Sequence, residues 1–96
     1  MTKARRAVLE EMAVSMGKAW AERCREDLRA EGRPVAGGWP GTLPEARARM
    51  SRQLPPELSR RGMPAPTPPE RELCAKAAYA SARADWQTHR EKVEEF

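Results

Sequence analysis

Between residues 3 and 31, Val8, Leu9, Met12, Met16, Ala19, Trp20 and Cys24 recur at steps of three and four. That spacing predicts one long amphipathic helix. Glu11, Lys18, Glu22, Arg25 and Arg29 fall on the opposite side and are expected to face solvent. Gly32 suits the left-handed turn that ends a helix, and Arg33-Pro34 closes it, since a residue before proline avoids the helical region. Gly17 lies mid-helix, where it costs about 1 kcal/mol relative to alanine. A close crossing by another helix is one explanation for it, and a tolerated defect is the other.

A second helical stripe runs from 69 to 95 through Ala75, Ala78, Tyr79, Ala82, Trp86, His89, Val93 and Phe96. Leu73, Ala77, Ala80 and Ala84 widen it. So many alanines permit close backbone approach, either to the first helix or to a second copy of the chain. Thr67 is placed to cap this helix, Pro69 lies in its first turn, and Glu70 and Glu72 suit the positive end of its dipole.

The segment between the helices has another character. It holds all nine prolines and five of the six glycines. Residues 33–41, RPVAGGWPG, read as turns. Trp39 is the large apolar residue there, either a plug folded back on Trp20 or Met16 or an exposed anchor for a partner. Thr42-Leu-Pro-Glu45 has the form of a capping box, starting a helix expected to reach about Gln53 and to bury Leu43, Ala46, Met50 and Leu54. Pro55-Pro56 is expected to interrupt it, leaving one further short turn before Gly62, and MPAPTPP at 63–69 reads as a stiff extended spacer.

These elements predict an all-α fold, a single small domain over 1–96. Helical arms at 1–31 and 70–96 flank a basic central module at 32–69. The two long helices, about 3–31 and 69–95, are expected to pack antiparallel through Met12, Met16, Trp20 and the Ala78–Trp86 face, joined by a connector with one or two short helices. Of the 40% apolar residues sixteen are alanines, and only five residues are aromatic, so the core of one copy is thin. A helical-bundle dimer, a homo-oligomer of two-fold symmetry, is the simplest remedy.

Charge singles out the middle. Residues 32–69 carry six arginines against two acids, and the arms are nearly balanced, within a formal net charge of +4. Arginine outnumbers lysine fourteen to four, a usage that a GC-rich bacterial genome would impose unaided, so placement carries more weight than number. Arg47, Arg49, Arg52, Arg60 and Arg61 are the candidates for nucleic-acid contact. Phosphate binding suits them better than base readout, because side chains that read base edges are nearly missing. The expected function is that of a small basic accessory or regulatory protein binding DNA, as in transcription regulation.

The alternative is a protein-interaction adaptor or inhibitor of phage or mobile-element type, docking a larger acidic protein through Trp39, Tyr79 and Trp86. No catalytic set stands out around the single histidine and four serines, and neither GxGxxG nor GxxxxGK[ST] occurs. Cys24, Cys74 and His89 lack zinc-site spacing. Hence no enzyme activity, cofactor, metal or small-molecule substrate is expected. The cysteines are read as free thiols of a cytoplasmic protein, although a disulfide between the arms would suit an oxidising compartment. No stretch has the roughly 20 apolar residues of a membrane span, and Glu10-Glu11 interrupts any signal-like apolar run after Arg5-Arg6.

Overall fold

Three threonines begin the three helices of the computed structural model, which describes residues 2–90. Thr2 Oγ1 accepts from the Arg5 amide at the start of α1, Lys3–Ala30. Thr42 with Glu45 opens α2, Leu43–Arg60, and Thr67 with Glu70 opens α3, Pro68–His89, each as a complete capping box. Two glycines end helices. Gly32 and Gly62 take φ of 70° and 71°, and the amides after them, of Arg33 and Met63, each donate to a leucine carbonyl, Leu28 and Leu58, at 2.9 Å. This double turn satisfies carbonyls that a helix end leaves open.

The fold is all-helical, as the periodicity implies, and among the described residues there is no strand. The expectation for α2 is corrected. It does not stop near Gln53 but runs on through Pro55 and Pro56. Ala46, Met50, Leu54 and Leu58 are all buried at steps of four, so the apolar stripe spans the prolines and holds both halves on one core. The two amides that proline removes would have met the carbonyls of Ser51 and Arg52, on the exposed side where water can serve them.

A full-length α2 reverses the chain twice, and the antiparallel packing expected for the long helices is therefore wrong. α1 and α3 run parallel. Arg5 meets Glu70, Cys74 Sγ donates to the Leu9 carbonyl at 3.7 Å, Ser81 Oγ donates to the Val14 carbonyl at 2.7 Å, and Arg25 meets Asp85. α2 lies against them in the opposite direction, with Arg49 at the level of Trp20 and Arg52 and Pro56 at the level of Met16. The α3 contacts with α1 sit at Ala78 and Ser81, where Gly17 leaves no room for a side chain.

Two further residues depart from the pattern. Arg25, expected on the polar face, is buried and donates to Asp85 Oδ2 at 2.8 Å. His89, placed on the apolar stripe by spacing, is exposed, its Nε2 3.7 Å from Asp85 Oδ1. Both cysteines are free. Cys74 packs at the level of Leu9, fifteen residues and so about 22 Å along α1 from Cys24. The end of the second stripe, Val93 and Phe96, lies outside the described residues.

The Arg5–Glu70 contact ties three segments together. Arg5 Nε donates to Glu70 Oε2 at 2.8 Å, while Nη2 donates to Glu70 Oε1 and to the Pro64 carbonyl. Glu70 also accepts from the Thr67 amide at 2.9 Å. Arg5, then Thr67, hold its carboxyl down at about 2, below the ordinary 4.5. A carboxylate whose folded pKa is depressed contributes stability that is present above the unfolded value and lost as pH falls through the folded one. Melting temperature should therefore drop between pH 4.5 and about 2, and Glu70→Gln should flatten that part of the profile. An unchanged profile in the variant would rule Glu70 out as its source.

Candidate nucleic-acid interface

With Ala46, Met50, Leu54 and Leu58 turned inward, α2 presents arginines outward, but each meets different surroundings. Arg47 Nε donates to both oxygens of Glu72, at 3.0 and 2.9 Å, lowering the Glu72 pKa and raising its own. Arg49 is half-buried, its guanidinium carbon 4.7 Å from the centre of the Trp20 ring. Arg60 and Arg61 both bond Glu57, Arg61 Nε to Oε1 at 3.1 Å. Arg52 is exposed, without an ion pair among the described residues.

The phosphate reading asked that Arg49, Arg52, Arg60 and Arg61 converge on one exposed face free of acids. That condition is not met. Arg47 and Arg49 serve the packing of α2 on α3 and α1. What remains is a smaller group. Arg52 and Arg60 line one groove between α1 and α2, about 460 Å³ in volume, with Met16, Gln53, Pro56 and Glu57, and Arg61 joins them through the shared carboxylate. Two guanidiniums thus bond one acid at the C-terminal end of α2, where the helix dipole also favours cations, and Arg52 lines the same groove without an ion pair among the described residues. Arg60 and Arg61 remain 74% and 48% exposed at the side chain. Ion pairs so open are worth about 0–1 kcal/mol, so a phosphate can take Glu57's place. Guanidinium donors also match phosphate oxygens in a fork that lysine lacks.

The aromatic candidates are placed differently. Trp39 inserts between Trp20 and Trp86, edge to face, with ring centres 4.8 and 5.6 Å apart. It is the plug, not a free anchor. Gly41 makes space for it, since a Cβ there would lie 2.6 Å from Trp39 Cε2. Trp86 is 1% exposed and donates from Nε1 to the Gly37 carbonyl at 3.1 Å, so it offers a partner no surface in this state. Tyr79 is half-buried against the core. Docking through these three rings as a set is therefore corrected by their burial.

Spacing alone missed the Arg25–Asp85 and Arg5–Glu70 pairs. Each joins residues about 60 apart whose neighbours in sequence mark them as ordinary surface charges. No group of His, Cys, Asp and Glu among the described residues could hold a metal ion, and no helix there is long and apolar enough to cross a membrane. Neither protein-family models, nor curated proteins, nor solved structures match this chain, so the reading of its function rests on the geometry just described.

Proposed function

We propose that the chain is a non-enzymatic helical accessory or regulatory protein that contacts nucleic-acid phosphates through Arg52, Arg60 and Arg61, acting as a two-fold dimer. One observation carries the reading: Arg60 and Arg61 share the single carboxylate of Glu57 at one end of α2, and Arg52, without an ion pair among the described residues, lines the same groove. Arg47 and Arg49 leave the contact set, because Glu72 and Trp20 already occupy them.

Binding to mixed-sequence DNA across a salt series tests this. Each phosphate contact releases close to one counterion, so Arg52→Ala/Arg61→Ala should flatten the log–log salt slope by up to about two units and weaken binding to all sequences alike. Arg47→Ala should leave the slope nearly unchanged. A wild-type slope in the double variant would remove these arginines from the interface. No retention of the wild type even at low salt would move the function to the adaptor reading, with an acidic protein at the same arginines.

A further inference from the structure

On the side of the bundle away from α2, α1 and α3 enclose an open groove of about 600 Å³ that no α2 residue lines. Its floor is Ala77, Ala80, Ser81 and Ala84, and its α1 wall is Val14 between Glu10 and Lys18. Val14, 39% exposed, is the one large apolar side chain left exposed among the described residues. An apolar groove alone says nothing of its occupant. The charges around this one do.

Stepping outward from Val14 by four residues in each direction, α1 presents Glu10 and Lys18, then Glu22 and Arg6, which donates to Glu10 Oε1 at 2.9 Å across an exposed pair. Opposite charges stand at equal distances on either side. On α3 the small residues are arranged likewise about the point between Ala80 and Ser81, where Ala77 balances Ala84, while Asp85 is held by Arg25 at 2.8 Å. These two centres are neighbours in space, because Ser81 Oγ donates to the Val14 carbonyl at 2.7 Å. Since α1 and α3 run parallel, one two-fold axis through that point, perpendicular to both, sets each helix antiparallel to its own copy. Both patterns then come into register at once.

We propose that a second copy of this chain occupies the groove, with Val14 on the axis. Val14 then packs on Val14, the alanine floors face each other, and each Glu10 meets Lys18 of the other copy. Four residues are about 6 Å of helix, so these pairs flank the axis closely, with Arg6 and Glu22 farther out. A foreign helix would need only the apolar floor; charge reversal about a single point is what self-pairing requires. This inference gives the proposed dimer its interface and does not depend on the phosphate contacts, which lie on the other side of the bundle. The dimer carries two arginine groups facing away from each other.

Light scattering and sedimentation equilibrium from micromolar to several hundred micromolar test the interface. The wild type should shift from one chain mass, 10.8 kDa, to twice that. Glu10→Lys and Lys18→Glu should each raise the dissociation constant about tenfold or more, because each makes two like-charge contacts. Glu10→Lys/Lys18→Glu should restore dimerisation, with circular dichroism melts showing all three variants folded. A residue on the axis meets its own copy, so Val14→Cys in a Cys24→Ser background should oxidise to a linked dimer, whereas Ala48→Cys on α2 should not. A wild type that stays monomeric overturns the proposal and leaves the groove to another protein. A dimer that the double reversal fails to restore, or that Val14→Cys fails to link, overturns it as well. DNA binding with an intact salt slope in a monomeric protein would separate this failure from a failure of the phosphate reading.

Discussion

Trp86→Ala should cost about 3–5 kcal/mol, the usual range for deleting a fully buried tryptophan. The ring is 1% exposed, packs 5.6 Å from Trp39 and holds the Gly37 carbonyl with its Nε1. Its loss would open a cavity where α3 meets the loop between α1 and α2, with Trp39 left unsupported on one side. Small domains hold roughly 5–15 kcal/mol in total, so this variant stands near the edge of folding. A melting temperature lower by roughly 12 °C or more is expected for a domain of this size. Trp86→Phe should cost much less, keeping a ring in the site but giving up the bond to Gly37. If Trp86→Ala melted like the wild type, the ring would have to lie outside the core. The experiment also separates two roles, because an exposed docking residue could be truncated at little cost to stability.

Gly17 is the second sensitive position, and there the sign matters more than the size. Helix propensity alone says that alanine should stabilise α1 by about 1 kcal/mol. A Cβ at position 17, however, would collide with the Ala78 carbonyl oxygen and lie 2.9 Å from Ser81 Cβ. The obstacle is largely backbone, which cannot turn aside as a side-chain tip can. Overpacking of this kind costs about 1–3 kcal/mol, so Gly17→Ala should be destabilising by up to about 2 kcal/mol net, and Gly17→Val by more than about 3. Urea denaturation at constant m-value measures both. A more stable Gly17→Ala would mean that α1 and α3 do not cross in close contact at this position. Because Ser81 and Val14 sit beside this crossing, the same change would also disturb the centre of the proposed dimer interface.

Much of the helix content was legible because its signals are local. Thr42 and Glu45 lie three residues apart, and the two capping bonds they exchange need nothing from the rest of the chain. Gly32 ends α1 for an equally local reason, its left-handed φ. Pro55-Pro56 misled in an instructive way. The penalty read from the sequence is real, but Leu54 and Leu58, buried on either side of the prolines, outweigh it through contacts with other helices. Once α2 continues, the direction of α3 relative to α1 follows, and an error of one element became an error of topology.

The arginine site was only half legible. Charge excess in the middle of the chain is a property of composition and survives folding. Which arginines remain available depends on acids far away in sequence, as Glu72 does for Arg47, or on an aromatic face, as Trp20 does for Arg49. Trp39 shows the converse: its plug role was among the sequence readings, because a lone large ring in a turn-rich loop gains most by returning to the apolar stripe it left.

By itself, then, the sequence determined the helical class, the capped starts at Thr42 and Thr67 and the glycine stop at Gly32, since propensity, capping and left-handed turns act within a few residues. Only the tertiary structure decided that α2 is continuous, that α1 and α3 run parallel, that Arg25 and Glu70 are buried with partners, and that Val14 is left outside. Each of those outcomes is set by which surfaces meet, and burial and ion pairing between residues 60 and 65 apart leave no trace in local spacing.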